Sequence, residues 1–185
     1  MRRDPDQAQR KEQSQVKILF IGISVLAGLI FLLVAVGMAL PKAHTSSRSA
    51  LFKSTPERLF ALIDGPQTWR SNVRKYELVA VPNGSRRWRE TDSHGQTVTY
   101  EAVERQPPNL LKTQIVTPDL PYSGTWTLSL APEGGSTMLR ITEQGEVYNP
   151  VFRFVSRFVI GQNRTIETYL RDLGTATGQE IKIRE

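Results

Sequence analysis

Glu90 and Glu143 are the residues through which this 185-residue chain could do chemistry. In "RRWRET" (86–91) Glu90 keeps step with Trp88, and in "TMLRITE" (137–143) Glu143 keeps step with Leu139 and Ile141. Successive side chains of a strand point to opposite faces, so both carboxylates fall on an otherwise apolar face. A buried carboxylate without a partner is costly. Each must therefore line a wet pocket, pair with an arginine such as Arg87 or Arg140, or return to solvent at a strand end or at a bulge near Gly145. In a pocket, Glu90, Glu143 and Tyr100 could do acid–base work, since burial shifts their pKa values.

Other chemistry finds little footing. His44 lies in a polar stretch and His94 in a turn, Asp92-Ser93-His94-Gly95, and neither has a second ligand at metal spacing. Consecutive turn residues cannot hold the geometry of a catalytic triad. Gly134-Gly135 reads as a hairpin turn, with no phosphate-binding loop after a strand. The chain has no cysteine, which removes disulfides, thiolate catalysis and Cys-based zinc sites. No cofactor and no metal are expected.

The elements that must position the carboxylates begin after an apolar segment. Residues 18–40, "ILFIGISVLAGLIFLLVAVGMAL", carry no charge and are long enough to cross a hydrocarbon core of about 30 Å. A cleaved signal peptide, cut near Ala35-Val36-Gly37, is the alternative, although its apolar region normally spans only about 7–15 residues. Five Lys/Arg precede the segment and four follow within about twenty residues, so the positive-inside rule gives a small preference for a cytoplasmic N-terminus. The chain is expected in the cell membrane as a single-pass protein, with its folded domain outside the cytoplasm. The net charge of +6 is spread thinly, with no dense run beyond Arg86-Arg87-Trp88-Arg89, which argues against nucleic acid.

The organisation expected is a polar basic tail (1–17), a transmembrane helix (18–40), a linker (41–46), a folded domain (47–176) and a C-terminal tail (177–185). Within the domain, 47–54 reads as a first strand. Thr55 and Pro56 open a helix that stops at Asp64-Gly65-Pro66, and a second short helix over about 67–73 carries Trp69. Strands follow over 76–81, 86–91, 96–105, 110–117, 124–130 and 137–143, joined by turn signals such as Pro82-Asn83-Gly84 and Glu133-Gly134-Gly135. This is an antiparallel meander with one apolar face to cover. Asn149 and Pro150 then start a helix running to about Leu173, about 36 Å long, which suits a cover. Arg153 and Arg157 are expected on its solvated stripe. A helix lying on the membrane surface is the other reading of "NPVFRFVSRFVIG".

Three stretches carry a family resemblance: "FKSTPERLFALIDGPQTWRSNV", "GTWTLSLAPEGGSTMLRITEQGEV" and "NPVFRFVSRFVIGQNRTIETYLRDL". Across about 46–176 the sequence resembles the START-like (SRPBCC) superfamily, which includes polyketide cyclase/dehydrase-like proteins and the birch-pollen-allergen type. The resemblance implies an α+β helix-grip fold, with a curved antiparallel sheet of about seven strands wrapped on a long C-terminal helix and a cavity between them. A transmembrane anchor departs from that family's soluble pattern. Alternation places Trp88, Glu90, Val98, Tyr100, Thr113, Ile115, Trp126, Leu128, Ile141 and Glu143 towards the helix, where Val155, Phe158, Val159 and Gln162 would face them. These residues either line the implied cavity or form a solid core. Members of the superfamily bind lipids, sterols and aromatic metabolites, some catalyse, and some bind partner proteins, so fold alone does not choose. The expectation is a membrane-anchored module that binds a lipid or other hydrophobic small molecule, and binding is preferred to catalysis. A cyclase- or dehydratase-like enzyme and a non-catalytic scaffold stay open, and protein partners are undetermined.

Overall fold

The computed structural model describes residues 5–81 and 84–185. The Pro82-Asn83 part of the expected turn and the first four residues of the basic tail lie outside the described residues. The first helix, α1, runs Pro5–Ala39, so it starts inside the stretch expected to be a tail. Its segment Gln15–Ala39 is apolar and long enough to cross a membrane. Only residues 40–42 separate it from strand β1, Ala43–Phe52. The linker expected at 41–46 is therefore mostly strand, because the strand expected over 137–143 continues far enough to pair Ala43 with Glu146 and His44 with Gly145.

Helix α2, Pro56–Asp64, forms as its caps dictate, with the Thr55 hydroxyl accepting from the Arg58 amide at 3.4 Å and Leu59, Phe60 and Ile63 buried. The second short helix is absent, and 67–72 runs in turns. Its side chains are committed to α2 instead: Gln67 Nε2 donates to the Ile63 carbonyl at 2.7 Å and Trp69 Nε1 to the Leu62 carbonyl at 3.3 Å. Those carbonyls lie at the helix end, where no intrahelical donor remains.

The strands β2 (Val73–Val79), β3 (Arg87–Asp92), β4 (Thr97–Gln106), β5 (Leu110–Ile115), β6 (Tyr122–Glu133) and β7 (Ser136–Val147) make the expected meander. With β8 (Ile183–Arg184), the sheet has eight strands in the order β2-β3-β4-β5-β6-β7-β1-β8, all pairs antiparallel. β8 comes from the expected C-terminal tail and pairs with Ser49 and Ala50, which shields part of the β1 edge. β7 stays in register with β6 from Ser136 to Val147, so the bulge considered near Gly145 is not formed. The bare Cα of Gly145 instead makes room for the His44 ring.

The C-terminal helix is broken. α3 spans Pro150–Val155, a π-helical turn spans Ser156–Ile160, and α4 spans Arg164–Ala176. Asn149 caps α3 as expected, its Oδ1 accepting from the Val151 and Phe152 amides at 2.9 and 3.1 Å. The break falls at Gly161, whose φ of 84° is a conformation that favours glycine. Of the C-terminal segment, α4 supplies the buried cover of the sheet. Its Ile166, Tyr169, Leu170 and Leu173 pack into a core with Phe52, Leu59, Ile63, Leu139 and Ile141.

α3 packs against α1 instead. Arg153, expected on the solvated stripe, is only 7% exposed. Its two terminal nitrogens donate to the Leu40 carbonyl at 2.9 Å and the Tyr148 carbonyl at 3.1 Å. The end of α1 leaves carbonyls without partners and carries partial negative charge, and a guanidinium answers both. Arg157 does remain exposed, donating to Gln162 Oε1 at 3.0 Å.

Candidate functional site

A cavity of about 350 Å³ lies between the inner face of the sheet and α4, with α3 and the π turn on its rim. Cross-strand pairing builds its floor. Trp88 sits opposite Tyr100, and Tyr100 opposite Ile115. A second row runs Thr113, Trp126 and Glu143. Such pairs put side chains within touching distance on one face. Trp88 stacks between Tyr76 at 6.4 Å and Tyr100 at 5.7 Å.

Of the sequence-derived candidates, Trp88, Glu90, Tyr100, Ile115, Trp126, Leu128 and Glu143 line the cavity, as do Val98, Thr113 and Gln162. Ile141 does not; it is fully buried in the core. Val155 and Phe158 also lie off the lining. Phe158 is 60% exposed and Val159 69%, because the break at Gly161 turns this segment away from the sheet.

Glu90 is buried and paired, but with neither arginine expected. Arg70 donates to its Oε2 at 2.6 Å and Trp88 Nε1 to its Oε1 at 3.0 Å. Arg87, one residue from Trp88, points to the other face and bonds Glu101 at 2.9 Å. Arg140 is exposed. Arg70 also lies over the Tyr169 ring, 5.2 Å from its centroid, a cation–π arrangement. Trp69 and Trp126 meet Tyr169 edge-on at 5.1 and 5.5 Å. Among the described residues the Tyr169 hydroxyl has no hydrogen-bond partner, and burial pushes its pKa up. Burial, and after it the charge of Glu90, does the same to the Tyr100 phenol.

Glu143 is the second carboxylate, and among the described residues no cation forms a salt bridge with it. Burial holds its pKa above the usual carboxylate range, opposed in part by a hydrogen bond with the Trp126 side chain. His44 also lines the cavity, its pKa lowered first by burial and then by Arg157. Beside Tyr169 the cavity thus holds a neutralised ion pair among aromatics, and the sheet wall holds one carboxyl group whose pKa is raised.

Sequence reasoning missed Arg70, Gln67, Tyr122 and Phe152 as lining residues. Arg70 and Gln67 sit in the turns after α2, which show no periodicity. Phe152 was visible only as part of a lid; its ring stacks on Tyr122 at 6.3 Å on the cavity rim.

Residues 43–176 match the family model described as polyketide cyclase / dehydrase and lipid transport. The chain belongs to this family. No curated protein sequence matches it. The family's fold recurs in solved structures of low identity. TTHA0849 from Thermus thermophilus shares 21% identity at a TM-score of 0.58, over 72% of this chain and 97% of that one. Truncated norcoclaurine synthase from Thalictrum flavum shares 10% at 0.57, over 75% and 95%. Ara h 8.0201 shares 13% at 0.53, over 74% and 99%. These likenesses establish the helix-grip fold, and the family supports a hydrophobic ligand-binding domain.

Proposed function

We propose that this family member is a membrane-anchored module that binds a lipid or other apolar small molecule in the cavity beneath α4, with α1 as a single-pass anchor and the domain outside the cytoplasm. The observation that carries the reading is the cavity itself. Its volume lies in the range of small-molecule sites, and Trp88, Val98, Ile115, Trp126 and Leu128 give its wall apolar surface among polar and charged groups such as Arg70, Glu90 and Glu143. Trp88, Glu90, Tyr100, Ile115, Trp126, Leu128 and Glu143 are the residues proposed to contact the ligand. Native mass spectrometry of the full chain released from detergent micelles tests it. An added mass that leaves on denaturation is expected, and Thr113→Phe, which fills the cavity from its floor, should abolish it. Retention of the mass by the filled variant would place the ligand elsewhere.

Glu143 favours one second reading, an enzyme that uses a carboxyl of raised pKa as a general acid. Such a group, with a raised pKa and facing a cavity, is poised for proton transfer. If ligand taken up by the parent protein is recovered chemically unchanged, binding alone stands.

A further inference from the structure

The segment that fails to cover the sheet carries the inference. Val151, Phe152, Phe158 and Val159 are all exposed large apolar residues on α3 and the π turn. The same segment is fixed to α1. Arg153 bonds the Leu40 carbonyl, and Gly37 has no room for a Cβ because the Pro150 backbone sits against it. Gly37 is three residues inside the apolar segment from Leu40, about 5 Å along the helix axis. A segment seated there reaches the depth at which amphipathic helices rest, about 5–10 Å into the boundary of headgroups and acyl chains. Exposed cations surround it: Lys42 follows α1, and Arg157 and Arg164 flank Gly161. Phe152 is half-exposed and also lines the cavity.

We propose that Pro150–Ile160 is embedded in the surface of the bilayer that α1 enters, its outer phenylalanine and valines among the acyl chains, and that the cavity rim at Phe152 opens there. This rests on the anchor reading above. The occupant of the exposed apolar face is phospholipid, since the segment abuts the part of α1 that has acyl chains as its surroundings. The cavity then draws its ligand sideways from the bilayer, without passage through water.

The test uses the full chain in vesicles of phosphatidylcholine with some phosphatidylglycerol, the phosphatidylcholine brominated either near the headgroup or deep in the chains. Phe158→Trp and, separately, Val159→Trp add an emitter at an exposed position, and Phe31→Trp adds one near the middle of the apolar span 18–40. Emission is read as the difference from the parent protein, whose own tryptophans lie in the domain. Shallow bromines should quench the emission added by Phe158→Trp or Val159→Trp, and deep bromines that added by Phe31→Trp. Quenching confined to Phe31→Trp would leave the anchor standing and overturn the proposal. If Phe31→Trp is not quenched, the anchor reading fails and the proposal falls with it.

Discussion

Arg70 and Glu90 lie 2.6 Å apart with their side chains 11% and 7% exposed, so each screens the other in surroundings that would otherwise reject both charges. Removing one partner from a buried pair strands the other charge, at about 3–5 kcal/mol, whereas replacing both with apolar residues is often close to neutral. Arg70→Met or Glu90→Leu should therefore each destabilise strongly, and the double variant should recover most of the loss. Full recovery is not expected, because Trp88 Nε1 keeps no acceptor. Urea unfolding of the four proteins measures the coupling. Glu143 gives a prediction of different form. Its folded pKa is raised, so folding favours the protonated form. Its contribution to stability is then greatest at low pH, falls as pH rises through the unfolded value of about 4 up to the raised folded value, and levels off above it. Glu143→Gln should match the parent in thermal stability at acidic pH and exceed it near neutrality. A constant difference across that range would show that Glu143 is not held in its neutral form.

Among the elements, the junction of α1 and α3 invites perturbation. Arg153→Leu removes hydrogen bonds from a charged donor to two carbonyls, and a loss of about 2 kcal/mol is the ordinary scale for such bonds. Arg157→Leu, on the exposed side of the same segment, should leave the melting temperature nearly unchanged. Equal losses from the two would remove the distinction between them. The contrast also shows where sequence stops being informative. Thr55-Pro56 and Asn149-Pro150 announce their helices because a cap is a local arrangement of a few residues. The alternation in β3 to β7 announces the cavity floor for a similar reason, since the pleat fixes which side chains share a face. Arg153 shares the i, i+4 spacing of a solvated stripe, and only the arrival of α1 makes it a buried cap. Arg70 sits in a turn, and nothing in its neighbours shows that the turn points at Glu90. Gly161 was legible as a glycine, but a long amphipathic pattern on both sides hid the break.

For the molecule as a whole, the proposed orientation is open to direct measurement. The chain has no cysteine, so Lys182→Cys, beside the surface strand β8, provides one thiol for labelling. A membrane-impermeant maleimide added to intact cells should reach it. Labelling only after the membrane is opened would put the domain in the cytoplasm. The sequence offered only a slight excess of flanking positive charge to decide this, and the fold adds nothing to it, because a helix-grip domain has no preferred side.

The passage from α1 to β1 takes only residues 40–42, and an extended chain reaches at most about 3.6 Å per residue. Three residues give about 10 Å of slack, and Arg153 takes up part of it. With α1 in a bilayer, this domain cannot act as a courier that loads at one membrane and swings across to another. Whatever delivers cargo to it, or collects from it, must come to the membrane where it stands.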